Sequence, residues 1–226
     1  MLDNSLLTHV RTGAAGVVAA KYLAKKQINQ ALVVGCGTQA RFQIKYLLKV
    51  RNITKMRLYD QVPEAAEALR KELAATTDLD VSTISSLADE VPRCDYIVTV
   101  TPSHKPLIMA DWVRPGTQVT AVGTDSSEKQ EIEEALFAKA DVIVVDRLSQ
   151  CVRLGDLHHA LEEGVIPADD VAGELGDVVT GRIPGRTSDS QITLSDLTGV
   201  GVQDAAIASP VLARAIEMGL GKQIEI

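Results

Sequence analysis

The chain has 226 residues, 46% hydrophobic and 23% charged, which suits one large or two small globular domains. A net charge of −7 with no Lys/Arg-rich block argues against a nucleic-acid binder, and aromatics at 3% leave few platforms for stacking bases. No apolar run reaches the ~18 residues that span a membrane, no signal-peptide pattern opens the chain, and Cys36, Cys94 and Cys151 make neither a disulfide framework nor a zinc motif, so a cytoplasmic protein is expected.

The first ten residues contain no convincing core element. A helix is expected from Arg11 through Gly13, Ala14, Ala15 and Gly16 to about Lys26. Its small residues suit either close helix packing or backbone approach to a ligand. Ala31 to Val34 reads as a buried parallel strand. Gly35-Cys36-Gly37-Thr38-Gln39-Ala40 then fits G-x-G-x-x-A, ahead of a helical pattern through Ile44, Leu47 and Val50. Gly35 permits a tight turn, Gly37 lets backbone approach a pyrophosphate, and Ala40 lets the helix pack close to the strand. The helix start offers free N–H groups and a positive dipole end to the phosphates. A second strand, Lys55 to Tyr59, ends in Asp60, at the distance where an acid accepts hydrogen bonds from a ribose diol and repels a 2′-phosphate. No Arg adjoins Asp60, so NAD is expected over NADP.

Further on, Pro63 starts a helix to about Ala75, and Leu79 to Ile84 alternates like a strand. Strands come next at Tyr96–Val100, Thr117–Gly123 and Asp141–Val145. Glu131 to Lys139 reads as a helix, and the charged run Glu128 to Glu134 as its solvated face. Leu154–Leu161 and Val171–Val179 look helical, Gly181 to Ser188 is a loop, and Gln191–Leu194 is a short strand. A helix from about Val202 to Met218 closes the chain. This alternation predicts an α/β fold, a Rossmann-type doubly wound parallel sheet. Ligands of such sheets sit beyond the carboxyl ends of the strands, which singles out Asp60, Thr101, Pro102, Gly123 and Asp125.

Other candidates have plainer readings. Asp125 suits an N-cap of the helix expected after it. His158 and His159 are adjacent on a helix and point about 100° apart, which suits a solvated surface better than a shared metal, and no metal site is expected. His104 comes just after Thr101-Pro102-Ser103 at a strand end, where it would line a pocket. Ser103 and Ser126 have no His and acid at triad spacing. Cys36 is filler in the glycine turn.

With these pieces in order, the sequence resembles the ornithine cyclodeaminase/mu-crystallin family. The resemblance rests on Leu7 to Ala15 (LTHVRTGAA), the Gly35–Ala40 turn, Thr99 to Pro102, Val122 to Asp125 with Lys129, and Asp196 to Val200 (DLTGV). It implies NAD(P)-dependent chemistry at the α-carbon of an amino or imino acid. By position it implies that Arg11 and Thr12 reach the cofactor, that Thr38 and Gln39 lie over the pyrophosphate, and that Asp60 binds the ribose. It also implies cofactor contacts at Thr101, Val122 and Lys129, substrate contacts at Arg11 and Thr198, and a catalytic aspartate at Asp125. Ketimine reductases of the family can lack that acid, so its presence leans toward the cyclodeaminase or dehydrogenase branches.

Two departures accompany the resemblance. Where cyclodeaminases carry a serine, this chain has Leu197, which removes a hydroxyl from the cofactor or substrate side and weakens the expectation of ornithine specificity. The family's substrate and dimerisation lobe, which precedes the arginine motif, has no counterpart before Arg11. The expected organisation is thus an NAD-binding domain over 12–195, with 1–11 and 196–226 as a remnant of that lobe and a homodimer where the lobe is present. The expected activity is cyclodeamination or dehydrogenation of a small amino or imino acid. The alternatives are a ketimine or imino-acid reductase and a non-catalytic NAD-binding protein or inactive fragment of poor activity.

Overall fold

The computed structural model describes residues 5–222; residues 1–4 and 223–226 of the expected terminal segments lie outside the described residues. Helix α1 (Ser5–Leu23) leads into strand β1 (Gln27–Val34), α2 (Thr38–Val50), β2 (Asn52–Tyr59), α3 (Pro63–Ala74) and β3 (Asp80–Thr83). A short helix α4 (Leu87–Glu90) precedes β4 (Tyr96–Thr99), β5 (His104–Ile108), β6 (Gln118–Ala121) and β7 (Gln130–Ile132). Then come α5 (Ala135–Lys139), β8 (Val142–Val145), α6 (Leu148–Cys151) and α7 (Asp156–Glu162). The chain ends through β9 (Gly173–Glu174), α8 (Leu175–Thr180), β10 (Thr193–Asp196) and α9 (Gly201–Glu217).

Among the described residues, eight strands form one parallel sheet in the order β3-β2-β1-β4-β6-β10-β8-β9, and β5 pairs with β7 beside it. From β1 the chain first moves outward through β2 and β3, then returns to the other side of β1 at β4. That reversal is the topological switch point. In register, Val34 lies beside Tyr59 on one side and Thr99 on the other, so three strands end level there.

Both faces of the sheet are covered, which is why its strands read as unbroken apolar runs. Leu32 and Val34 enter one core with Ile97 and Val119, while Ala31 and Val33 enter the other with Ile44 and Leu47. Helix α2 buries Ala40, Ile44 and Leu47, spaced four and three residues apart along one stripe. Helix α3 buries Ala66, Leu69 and Leu73 in the same way. Each fully buried leucine contributes about 2 kcal/mol, so these stripes suffice to dock the helices.

The small residues of α1 serve packing. A Cβ at Gly13 would come within 2.9 Å of Phe42 and Tyr46, and one at Gly16 would meet the Gln43 side chain of α2. Their absence lets α1 lie directly on α2.

The structure corrects several expectations. The helix expected from Arg11 begins earlier, at Ser5, although its buried residues start only at Gly13. Glu131–Lys139 is not one helix; instead Gln130–Ile132 is strand β7, and only Ala135–Lys139 is helical. The run Glu128–Glu134 is therefore not a solvated helix face, because Glu131 is fully buried. The stretch Val171–Val179 divides into β9 and α8. The last short strand runs to Asp196 as β10, an inner strand between β6 and β8.

The loop 181–192 is secured to the N-terminal edge of the sheet by Arg186. Its guanidinium donates to the carbonyls of Leu23 at 2.5 Å and Gln191 at 2.6 Å, and to Thr193 Oγ1 at 2.9 Å. Replacing it by Ala strands these acceptors. Arg186→Ala is expected to cost about 2–3 kcal/mol, read as a lower denaturant midpoint. Unchanged stability would show that water replaces the guanidinium freely.

Candidate active site

The turn from β1 into α2 is built around two glycines with different tasks. Gly35 has φ +92°, and a Cβ there would lie 2.8 Å from Thr101 Cγ2 and from the Val100 carbonyl oxygen. Only glycine lets the turn cross the end of β4 so closely. Gly37 is the N-cap of α2, and no side chain caps the helix. A Cβ at Gly37 would meet nothing within 4 Å, so the approach to the uncapped helix start is open there. Gln39 lies in that turn; its Oε1 is 3.2 Å from His9 Nδ1, and its buried Nε2 has no partner. Uncapped amides, a positive dipole end and an orphaned donor together suit a pyrophosphate.

Asp60 ends β2 beside this turn. Its Oδ2 accepts from the Cys36 amide at 2.7 Å and its Oδ1 from the Val62 amide at 2.9 Å. Each oxygen keeps a second lone pair, which is what a ribose diol requires. Cys36 is buried, and burial, reinforced by the Asp60 charge, pushes its thiol up to about 12. It stays protonated and is no nucleophile. A groove of about 800 Å³ joins Gly35, Gly37 and Asp60 to Thr101 and His104, so His104 does line the pocket. The His104 ring is fixed by Nδ1, 2.9 Å from the Glu128 carbonyl.

Beyond β4 and β6 the design changes. Glu131 Oε1 accepts from the Thr101 amide at 2.5 Å, and Oε2 from the Gly123 amide at 2.9 Å and Thr99 Oγ1 at 2.8 Å. Asp156 accepts in turn from the amides of Glu131 and Ile132 and from Thr124 Oγ1. Between these anchors runs the loop carrying Asp125, whose Oδ1 pairs with Lys129 Nζ at 2.6 Å. The Asp125 side chain is 65% exposed, and its loop leads into strand β7. The N-cap reading of Asp125 therefore fails, since no helix starts there. Val122 is half-buried between two cores. His159 Nε2 sits 2.9 Å from the Lys129 carbonyl, and both His158 and His159 are half-buried, not freely solvated.

A second groove, of about 1090 Å³, lies between α1, α6, α8 and α9. Arg11 lines it, held by Asp204 Oδ1 and Gln203 Oε1 at 3.2 Å each. Thr12 lies next to it, its carbonyl accepting from Gln43 Nε2 at 3.2 Å. Thr198 Oγ1 donates to Asp146 Oδ1 at 3.1 Å and accepts from Gln150 Nε2 at 2.8 Å. Leu197 points away from both grooves, into a core with Ala19, Leu23 and Val144. Its replacement of a serine therefore removes no hydroxyl from the cofactor or substrate side. Of the expected site residues, Gly35, Gly37, Asp60 and Thr101 line the first groove and Arg11 the second; Thr198 bonds Asp146 and Gln150 of the second groove's wall, and Asp125 pairs with Lys129 on the loop after β6. Thr12, Thr38, Gln39 and Val122 line neither groove.

The model of the ornithine cyclodeaminase/mu-crystallin family matches residues 1–219. The chain belongs to that family. An archaeal alanine dehydrogenase dimer with bound NAD superposes with a TM-score of 0.92 at 37% identity, covering 99% of this chain and 69% of that one. The Thermococcus litoralis Δ1-pyrroline-2-carboxylate reductase in complex with NADH and L-proline gives 0.93 at 31% identity, covering 98% and 68%. Iminosuccinate reductase of Paracoccus denitrificans is 38% identical over 225 residues, 100% of this chain and 69% of that protein.

Sequence reasoning missed the buried carboxyls Glu131, Asp156, Asp146 and Asp196. For Asp146 and Asp196 the available signal was position, since each closes an apolar strand; Glu131, inside β7, and Asp156, at the start of α7, carry no such signal. Burial, then the Asp156 charge, pushes Glu131 up to about 7. Burial likewise raises Asp156 to about 6 and lifts Asp196 well above the usual range, with Asp156 adding to the latter. Folded-state values above the unfolded ones mean that the folded chain keeps these protons while the unfolded chain has released them. Their contribution is full below about pH 4 and is lost as the pH rises through about 7. Glu131→Gln should therefore flatten the decline in melting temperature between pH 5 and pH 8. An undiminished decline would assign it to other groups.

Proposed function

We propose that this chain carries the NAD-dependent core of an enzyme that moves a hydride between the α-carbon of a small amino or imino acid and a nicotinamide. The observation that carries the proposal is the shared groove: glycine turn, uncapped α2 and Asp60 meet Thr101 at the switch point. The bound NAD of the alanine dehydrogenase and the NADH and L-proline of the pyrroline-carboxylate reductase support the same cofactor and substrate class. Gly37 and the α2 amides would take the pyrophosphate with Thr38 and Gln39, and Asp60 the adenosine ribose. Thr101, Val122 and Lys129 would face the other half. NAD supplies the hydride acceptor or, reduced, the donor.

Asp125 is assigned as acid/base. A carboxylate beside a reacting amine stabilises the iminium that forms as hydride leaves, and takes or returns the amine proton. Lys129 pairs with that carboxylate at 2.6 Å and holds it in place. Arg11 and Thr198 are assigned to the substrate side, where a guanidinium holds a carboxylate in register. We assign 1–11 and 196–226 to the substrate and dimerisation side of a domain built on 12–195. Helix α9 supports this, since none of its residues is buried and Val202, Leu212 and Ile216 stand exposed. The dimeric alanine dehydrogenase is consistent with a homodimer. With Leu197 in the core, its identity does not separate net dehydrogenation or imine reduction from cyclodeamination.

Two measurements test the assignment. Asp60→Ala should weaken NAD binding about tenfold or more and narrow the gap to NADP, as expected for lost charged hydrogen bonds. Equal affinity of the unmodified chain for NAD and NADP would reject Asp60 as the selector. Asp125→Asn should leave NAD affinity near normal while kcat on alanine or a cyclic imino acid falls ~10²-fold or more. An unchanged kcat removes Asp125 from the chemistry, and NAD binding without turnover of any amino or imino acid favours a non-catalytic dinucleotide-binding protein.

A further inference from the structure

Glu131 is fully buried on β7 and lines neither groove, yet its carboxylate ties together the two strand ends at the far half of the dinucleotide groove. In a doubly wound sheet the adenosine half lies beyond β1 to β3, where Asp60 sits, and the other half beyond the strands across the switch point. Those strands are β4, which runs into Thr101, and β6, which runs into Gly123. The pinch is tight, because a Cβ at Gly123 would run into the Thr101 carbonyl and lie 2.6 Å from Glu131 Oε1.

Both carboxyl oxygens face a backbone N–H that cannot turn: Thr101 N at Oε1 and Gly123 N at Oε2. An amide in place of the carboxylate would set its NH₂ against one of them. The Thr99 hydroxyl, also on Oε2, can reverse its role and so relieves nothing at the amides. Asp156 holds β7 through the Glu131 and Ile132 amides at 2.7 and 2.8 Å, so the carboxyl cannot track a moving strand end.

We propose that Glu131 is a positioning residue: it fixes Thr101 and Gly123 so that the groove accepts the nicotinamide half of the cofactor, while the adenosine half is held without it. This rests on the cofactor reading given above.

The test uses the full chain and two ligands, NADH and ADP-ribose, which lacks the nicotinamide. At pH 8, where the folded carboxyl is mostly ionised, NADH affinity in Glu131→Gln is expected to fall about tenfold while ADP-ribose affinity stays within about twofold, because only the far end of the groove loses its fixed geometry. Gly123→Ala, which pries the same strand ends apart with the carboxylate intact, should reproduce the selective loss. Asp60→Ala should weaken both ligands alike. Equal weakening of both ligands in Glu131→Gln, or of neither, overturns the proposal. If Glu131→Gln does not fold, Gly123→Ala decides by the same criterion. Should the unmodified chain bind neither ligand, the cofactor reading fails and the tie is judged by amide hydrogen exchange. Exchange at Thr101 and Gly123 must then quicken in Glu131→Gln while the other β4 and β6 amides hold, and unchanged exchange overturns the tie itself.

Discussion

The close crossing of the β1–α2 turn over the end of β4 is the constraint on which the groove depends. Gly35 takes a left-handed φ of +92° with its α-carbon pressed toward Val100 and Thr101. Its amide donates to the Tyr59 carbonyl at 2.8 Å, so the same residue is tied to β2 on its other side. One residue without a side chain thus draws three strand ends together. If a Cβ separated them, Asp60 and Thr101 would no longer line one groove, and the α2 amides would point past it. A bulkier residue would combine strain at positive φ with a backbone clash that no rotamer relieves.

Much of this is legible in the sequence because it is written in residue types with few alternative uses. Buried parallel strands must be apolar on both faces, so Ala31–Val34, Tyr96–Val100 and Asp141–Val145 stand out. A glycine pair at the end of such a run, then a helical stripe, then an acid closing the next strand, leaves little freedom in topology. Ordinary polar residues hide the rest. The start of α1 mixes Thr8, His9 and Arg11 with apolar residues, and its helical state is set by packing on α2 and α9, which no local pattern announces. Glu131 is easily misread because a charge within a charged run normally means solvent. Nothing local reveals that two amides from distant strands converge on it.

The second groove shows the same limit from the other side. The resemblance puts Arg11 and Thr12 beside the cofactor and Arg11 and Thr198 beside the substrate, and in the structure Arg11 is engaged by Gln203 and Asp204 of α9. The periodicity of α9 places that helix correctly, yet none of its residues is buried. Periodicity reports that a helix has an apolar face; it does not report what covers that face.

The buried acids look costly until their donors are counted. An ionised carboxyl loses several kcal/mol on burial, and one charged hydrogen bond returns about 1.5–3 kcal/mol. Several donors therefore offset more of that loss than one does, although burial still raises Glu131 to about 7 and Asp156 to about 6 with three donors each. At the open end of a parallel sheet each strand sheds a loop whose first amide still reaches a neighbouring strand, as Gly35, Val100 and Val122 do, while the next amides lie past the last strand partner. Carboxyls meet that need at three pairs of strand ends. Asp60 spans the ends of β2 and β1 by accepting from Val62 and Cys36. Glu131 spans β4 and β6, and Asp146 spans β8 and β10 by accepting from Arg147 and Gly199. Asp196 accepts only one amide, from Leu157, and has an unpartnered Oδ1, so little offsets the burial and then the Asp156 charge that lift it well above the usual range. No such carboxyl joins β1 to β4; there the Val100 amide bonds the Val34 carbonyl and Gly35 crosses the strand end directly, and the first groove lies over that crossing. The acids thus hold the strand ends on either side of the switch point and leave the crossing itself to glycine.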